Sequence, residues 1–228
     1  MLLFLDSANT DEIREAFSLF PLDGVTTNPT ILAREKAPDP AKRLAKIREL
    51  IGDKLLFAQL TAFGGDAPYR EAEALRKLLG EPLCLKVPMQ AELLPVMTGL
   101  CARGFTVCAT AVYSVPQALL AAKAGAAYVA PYVSHIDNLS EDGPGQAVRM
   151  QDALLEQGLD TKVLGASFRV ASQISRLFED GVPAATVTLP MLRTLAGSPS
   201  TELECESFRR NWEAVYGGRT LLDYTEIQ

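Results

Sequence analysis

The chain has 228 residues, 48% of them hydrophobic and 22% charged, with a formal net charge of −6. That length buries a sizeable core, as one domain of barrel size or two small ones. The acidic balance and the lack of any Lys/Arg cluster argue against nucleic acid or an anionic membrane as partner.

The apolar opening MLLFL (residues 1–5) is too short for a signal h-region, no basic segment precedes it, and no window reaches transmembrane length. Cys84, Cys101, Cys108 and Cys205 show no C-x-x-C spacing, and Cys84 and Cys108 sit in apolar runs. They read as reduced, small hydrophobes. The expectation is a soluble, globular, cytoplasmic protein.

In chain order, the apolar run LLFLDS (2–7) leads through an Asn9-Thr10 cap into a helix over 11–20. GVTTNP (24–29) precedes a helix over 41–52, with Leu44, Ile47, Leu50 and Ile51 at helical spacing and Gly52 as its stop. LLFAQL (55–60) is followed by a helix over 69–80 ending at Gly80. LCLKVP (83–88), TVCATAV (106–112), YVAPYV (128–133) and KVLGAS (162–167) are each followed by an amphipathic segment, ending at Gly104, Gly125, Gly158 and Gly181. ATVTLP (185–190) runs into LPMLRTLAG, and ESFRRNWEAVYG closes the series.

Most of the strand runs lack polar alternation, as parallel strands covered on both faces should. Eight strand–helix units in one unbroken grammar predict an α/β fold, a single-domain (β/α)8 TIM barrel over residues 1–205. A doubly wound open sheet is the rival, but it would more often carry a glycine-rich fingerprint after its first strand, and LDSANTDE has none. Residues 206–228 are surplus to closing the barrel. They form an extra C-terminal helix and tail whose Phe208, Trp212 and Val215 make an apolar stripe suited to packing between subunits, or back over the chain's own barrel.

Polar residues fall at the strand ends: Asp6, Thr26, Thr27, Asn28, Gln59, Lys86, Thr110, Tyr132 and Ser167. Each alone has a plain structural explanation, such as a cap, a backbone contact or a lysine whose stem snorkels to water. Together, at the C-terminal ends of barrel strands, they line a pocket. With one histidine and a solitary strand-end carboxylate, the pocket has no metal-ligand set, no G-x-S-x-G elbow and no cysteine–histidine pair. What remains is Lys86 in the apolar run LCLKVP, an amine whose desolvation favours its neutral, nucleophilic form and fits Schiff-base chemistry without metal or cofactor.

The stretches LFLDSA, GVTTNPTI, LFAQL, LKVP, ATAVY, APYVSHID and LGASFR resemble, in order and spacing, the small-subunit branch of the transaldolase family, on the side of the bacterial fructose-6-phosphate aldolases. The resemblance runs from residue 2 to about residue 220. It implies a class I aldolase of carbohydrate metabolism that cleaves or forms fructose 6-phosphate or a related ketose through a lysine-bound dihydroxyacetone enamine. Lys86 would be the Schiff-base lysine, Asp6 the acid–base group, and Gln59, Thr110 and Tyr132 the set that positions a water. Asn28, with Thr27 beside it, would bind substrate hydroxyls, while Ser167 and Arg169 would bind the distal phosphate. The resemblance also implies a ring-shaped homo-oligomer, pentamer or decamer.

The alternative within the family is a transaldolase that passes the dihydroxyacetone unit to an acceptor, with a sulfosugar donor included. Transferring members typically carry Glu and Phe where this chain has Gln59 and Tyr132, which places it with the aldolases. A sugar-phosphate-binding barrel without turnover is the rival of another class, disfavoured by Lys86, Asp6 and Thr110 together. One departure bears on the substrate. The family's arginine in the turn after the sixth strand is replaced by His135 in YVSHID. That leaves a loop histidine without a ligand role, a pH-dependent anion contact, or a distal group other than an ordinary phosphate, namely a sulfonate, a displaced phosphate or a neutral hydroxymethyl.

Overall fold

The protein is described from a computed structural model covering residues 1–225; the last three residues of the 206–228 tail lie outside the described residues. The strands are β1 (Leu2–Asp6), β2 (Gly24–Thr26), β3 (Leu55–Gln59), β4 (Leu83–Pro88), β5 (Thr106–Val112), β6 (Tyr128–Pro131), β7 (Lys162–Gly165) and β8 (Ala184–Val187). Neighbours in the chain pair in parallel, and β8 pairs back onto β1, so the sheet closes into the (β/α)8 barrel the sequence predicts. Closure leaves no strand edge unpaired.

The helices around it obey local rules. α1 (Thr10–Leu19) starts where the Asn9 side chain accepts from the amides of Asp11 and Glu12. α3 (Pro40–Ile51) starts at Asp39 with Pro40 in its first turn, buries Leu44, Ile47 and Ile51, and ends at Gly52 with φ 58°. α4 (Ala67–Leu79), α5 (Leu94–Ala102), α6 (Val115–Lys123), α8 (Gly143–Glu156), α9 (Ala171–Glu179) and α10 (Leu189–Ala196) complete the alternation.

Two short helices, absent from the sequence reading, occupy loops at the C-terminal mouth. β2 stops at Thr26 because Asn28 already caps α2 (Pro29–Arg34), its side chain accepting from the Ile31 amide. β6 stops at Pro131, since Tyr132 leads into α7 (Val133–Asp137). α7 is stitched to the end of β7: the Val133 amide donates to Ala166 O (2.9 Å), and the Ser134 amide and hydroxyl donate to Ser167 O (2.9 and 2.6 Å).

The barrel is filled, not hollow. Phe4, Phe57, Cys84, Cys108, Tyr128, Ala130, Leu164 and Ala184 form one core cluster contributed by seven of the strands. Phe57 meets Phe4 and Tyr128 edge-on at 5.1 and 5.3 Å. Gly24 is the β2 partner of Phe4, and there the backbones of β2 and β3 come so close that a Cβ would run into the Leu55 carbonyl.

Residues Met1–Leu192 make one compact unit, and a second begins at Arg193. Within the second, α11 (Pro199–Tyr216) is capped by Ser198, the Trp212 ring lies 4.5 Å from that of Tyr216, and the Trp212 indole donates to Arg219 O. Among the described residues no helix is long and apolar enough to cross a membrane.

Gly24→Ala forces β2 away from β3 at the level of the core. Its expected cost is on the order of 3 kcal/mol, read as a lowered denaturation midpoint; a midpoint equal to that of the unsubstituted chain would show that the strands separate without penalty.

Candidate active site

Side chains along a strand face one way at every second residue, so the core cluster dictates what lies above it. Moving two positions toward the C-terminal mouth from Phe4, Gly24, Phe57, Cys84, Cys108, Ala130, Leu164 and Ala184 arrives at Asp6, Thr26, Gln59, Lys86, Thr110, Tyr132, Ala166 and Thr186. The lower layer is almost wholly apolar. The upper one is polar on every strand but β7. This change of character within one turn of side chains makes the floor of a cavity.

The cavity has a volume of about 530 Å³. Asp6, Asn28, Gln59, Lys86, Tyr132, His135 and Ser167 all line it, drawn from the ends of β1, β2, β3, β4, β6 and β7. Thr27, Thr110 and Arg169 do not. The Thr27 hydroxyl donates to Phe57 O (2.9 Å) and so ties β2 to β3. Thr110 reaches the cavity wall through Tyr132, with Thr110 Oγ1 and the Tyr132 hydroxyl 3.2 Å apart. Arg169 is exposed and donates to Asn138 Oδ1 at 2.9 Å.

Lys86 is 5% exposed. Its Nζ donates to the Thr27 carbonyl at 2.9 Å, among the described residues the one hydrogen bond holding the amine. Its acidic neighbour is Asp6, whose carboxyl is pushed above the ordinary aspartate range: burial is the largest cause, opposed by the Lys86 charge, then by the Thr26 hydrogen bond and the Arg34 charge. The Thr26 hydroxyl donates to Asp6 Oδ1 (2.7 Å) and lies 2.6 Å from Thr186 Oγ1. A hydroxyl has one proton to give, so with Thr26 facing the carboxylate the link to Thr186 has Thr186 as donor. The result is a chain of donors, Thr186 to Thr26 to Asp6, running along β8, β2 and β1.

Below this layer the thiols are inert. Burial holds Cys84 well above the usual thiol range and pushes Cys108 up to about 12, so neither offers a thiolate. Among the described residues no group of three His, Cys, Asp or Glu could hold a metal ion. The chemistry of the floor is an amine, a carboxyl that takes a proton readily, an amide and a phenol.

Thr186, on the wall, and Arg34, from α2, line the cavity and escaped the list drawn from the sequence. Thr26, one of the polar strand ends, stands behind Asp6 rather than in the lining. Thr186 was within reach of a count of two along β8 from Ala184. Arg34 was not, because α2 itself was unread and nothing local says which way its last turn faces.

Because the folded-state carboxyl of Asp6 is raised, the unfolded chain loses that proton first as pH rises, and folding above that point carries the penalty of ionising Asp6 inside the site. Asp6→Asn is therefore expected to melt higher than the unsubstituted chain at neutral pH. The advantage should shrink as pH falls through the raised value toward the ordinary aspartate range. Thermal melts over this span check it, and a gain that persists unchanged in acid would place the cause elsewhere.

Comparison with known proteins was made against this geometry. Residues 3–217 match the family model described as Transaldolase/Fructose-6-phosphate aldolase. Over 221 residues the chain is 36% identical to a "Probable transaldolase" of Kosmotoga olearia, covering 97% of this chain and all of that one. It is 34% identical over 212 residues to a "Probable transaldolase" of Shouchella clausii, covering 93% and 97% of the two chains. It is 31% identical over 222 residues to a "Probable fructose-6-phosphate aldolase" of Streptococcus pneumoniae, covering 97% of this chain and all of that one. This (β/α)8 barrel with a buried lysine at its mouth, matched along nearly its whole length by the family's model, belongs to the transaldolase/fructose-6-phosphate aldolase family.

Proposed function

We propose that the protein is a class I aldolase that cleaves or forms a ketose of the fructose 6-phosphate type through an enamine on Lys86. The observation that carries the reading is the buried Lys86 amine at the cavity floor beside Asp6, a carboxyl with a raised proton affinity. An ammonium buried there is costly, and an iminium formed from it moves that positive charge onto the substrate where it is needed.

Lys86 Nζ adds to the ketone carbon, and loss of water leaves the iminium. Deprotonation of the C4 hydroxyl lets the C3–C4 bond break, its electrons flowing into the iminium to give a neutral enamine and a free aldehyde. Asp6 takes the hydroxyl proton, as a carboxyl whose pKa lies closer to the working pH does best. Tyr132, held by Thr110 at 3.2 Å, and Gln59 position the water that hydrates and dehydrates the Schiff base. Asn28 spends its Oδ1 on the Ile31 amide and keeps its Nδ2 donors for a substrate hydroxyl. Ser167 lines the rim where the distal group of the sugar lies.

Protonation of the enamine releases dihydroxyacetone; attack on a second aldehyde transfers it. Tyr132 supports protonation, because a phenol beside a water offers a proton that the Phe of transferring members lacks. Gln59 supports it too, standing where those members have Glu. The second reading, a transaldolase, is favoured by the names of the relatives from Kosmotoga olearia and Shouchella clausii.

Borohydride added with fructose 6-phosphate is expected to fix a three-carbon adduct on Lys86, and Lys86→Ala to fall to background. Adduct on another lysine with activity kept in Lys86→Ala would end this mechanism. Asp6→Asn should keep the adduct site but lose about 10²–10⁴-fold in kcat.

The partition is a separate measurement. Without any acceptor the unsubstituted enzyme is expected to release free dihydroxyacetone, and the Gln59→Glu/Tyr132→Phe variant to slow this release while gaining transfer to an added aldehyde. Turnover by the unsubstituted chain that begins only when an acceptor is supplied would establish the transaldolase instead.

A further inference from the structure

We infer that Thr186, on β8, is a positioning residue of the reaction: through the Thr26 hydroxyl it holds the Asp6 carboxylate with Oδ1 against the wall and Oδ2 turned to the substrate. The inference assigns the oxygen that takes the proton in the aldolase reading above and rests on that reading.

A valine would fill position 186 with the same shape and leave nothing polar to satisfy. β8 is buried along its whole length, Thr186 included at 4% exposed, and a hydroxyl hidden there is a cost unless it is bonded. Other buried threonines meet that cost on the backbone: Thr27 donates to Phe57 O at 2.9 Å, and Thr161 to Ala126 O at 2.7 Å. Thr26 and Thr186 do not. Among the described residues their hydroxyls bond only each other, at 2.6 Å, and from Thr26 to Asp6 Oδ1, at 2.7 Å. Nor does the sheet need the pair for closure. The backbone of β1 already pairs with β2 and β8, Asp6 in register with Thr26 and Phe4 with Thr186.

The direction of the chain follows from the charge at its end. An ionised carboxylate only accepts, so Thr26 gives its proton to Oδ1 and Thr186 gives its own to Thr26. Each donation polarises the next, and with Thr186 seated on one side of its oxygen the Thr26 hydroxyl is kept aimed at Asp6. That leaves Oδ2. No described residue hydrogen-bonds to it, and Asp6 lines the cavity. In cleavage the C4 hydroxyl gives its proton to Oδ2 as its carbon becomes a carbonyl and the C3–C4 electrons pass to the iminium. The charges acting on Asp6 are those of Lys86 on β4 and Arg34 on α2. Thr26 and Thr186 bring neutral donors from β2 and β8, which orient the base without neutralising it.

Thr186→Val keeps the shape and removes the donor. With fructose 6-phosphate its kcat is expected to fall about tenfold, with KM within about threefold, since a reacting group is misaimed while binding is kept. Thr186→Ser, which keeps the hydroxyl, should recover most of the loss. The acidic limb of kcat/KM should move to higher pH in Thr186→Val and further in Thr26→Val, because a carboxylate that loses donors holds its proton more tightly. In an Asp6→Asn background Thr186→Val should cost nothing more. A loss of the same size in both backgrounds, or one that Thr186→Ser shares in full, would place Thr186 in the packing of β8 and overturn the inference.

Infrared titration separates this inference from the aldolase reading, because it needs no turnover. The carboxyl band of Asp6, identified as the one missing from Asp6→Asn, is expected to titrate at higher pH in Thr186→Val than in the unsubstituted chain. That shift upholds the hold on Asp6 even if no ketose ever leaves an adduct on Lys86. Identical titration in the two chains overturns it whatever the chemistry at Lys86.

Discussion

An amine held at the boundary between an apolar core and a polar cavity sets the terms for everything around it. Lys86 stands directly above Cys84 on the inner face of β4, with Cys108 the paired residue on β5. An ammonium there loses most of its water, at an effective cost of several kcal/mol unless partners replace it. One carbonyl, that of Thr27, and one neighbouring carboxyl, that of Asp6, are what the barrel supplies. The lysine is held in direction but only lightly compensated, which is the state in which an amine has most to gain by passing its charge to a substrate.

Asp6 answers the same constraint from the other side of the barrel. Crowding by protein drives its proton affinity up, while the Lys86 charge and the Thr26 hydroxyl draw it down. Burial wins, and the carboxyl is left better matched to proton transfer near neutrality than an exposed aspartate. The Thr186–Thr26 donor chain fixes its orientation without adding charge. Acid and amine thus come from β1 and β4, and the Lys86 charge is one of the pulls on the Asp6 proton.

The two short helices divide the labour of the cavity. The strand ends supply the floor, while α2 and α7 build the rim. α7 is fixed by three hydrogen bonds to the residues after β7, which brings Tyr132, His135 and Ser167 to one side. α2 brings Asn28, Thr30, Ile31 and Arg34 to the other. Differences in substrate choice within a shared chemistry have room to arise there, on helical turns that can change without disturbing the sheet.

Local order was legible in the sequence. Uninterrupted apolar runs specify strands buried on both faces, glycines such as Gly52 and Gly80 stop helices because they adopt positive φ, and eight such units in series specify a closed barrel. The same reading found the polar strand ends and the lysine, since a charge inside an apolar run is conspicuous in one dimension. Other features needed the closed structure. Ala111, at φ 56°, shifts the register of β5 against β6 just beyond Thr110, and no turn signal in TVCATAV marks it. Thr26 and Thr186, 160 positions apart, meet because β8 returns to β1 beside β2. Arg34 lines the site and Arg169 does not, although both are arginines in loops beside the strand ends. Periodicity and turn chemistry act between near neighbours and can be read along the chain; which side chains share a cavity depends on sheet closure and on the direction of each connecting helix, which are fixed by packing across the whole barrel.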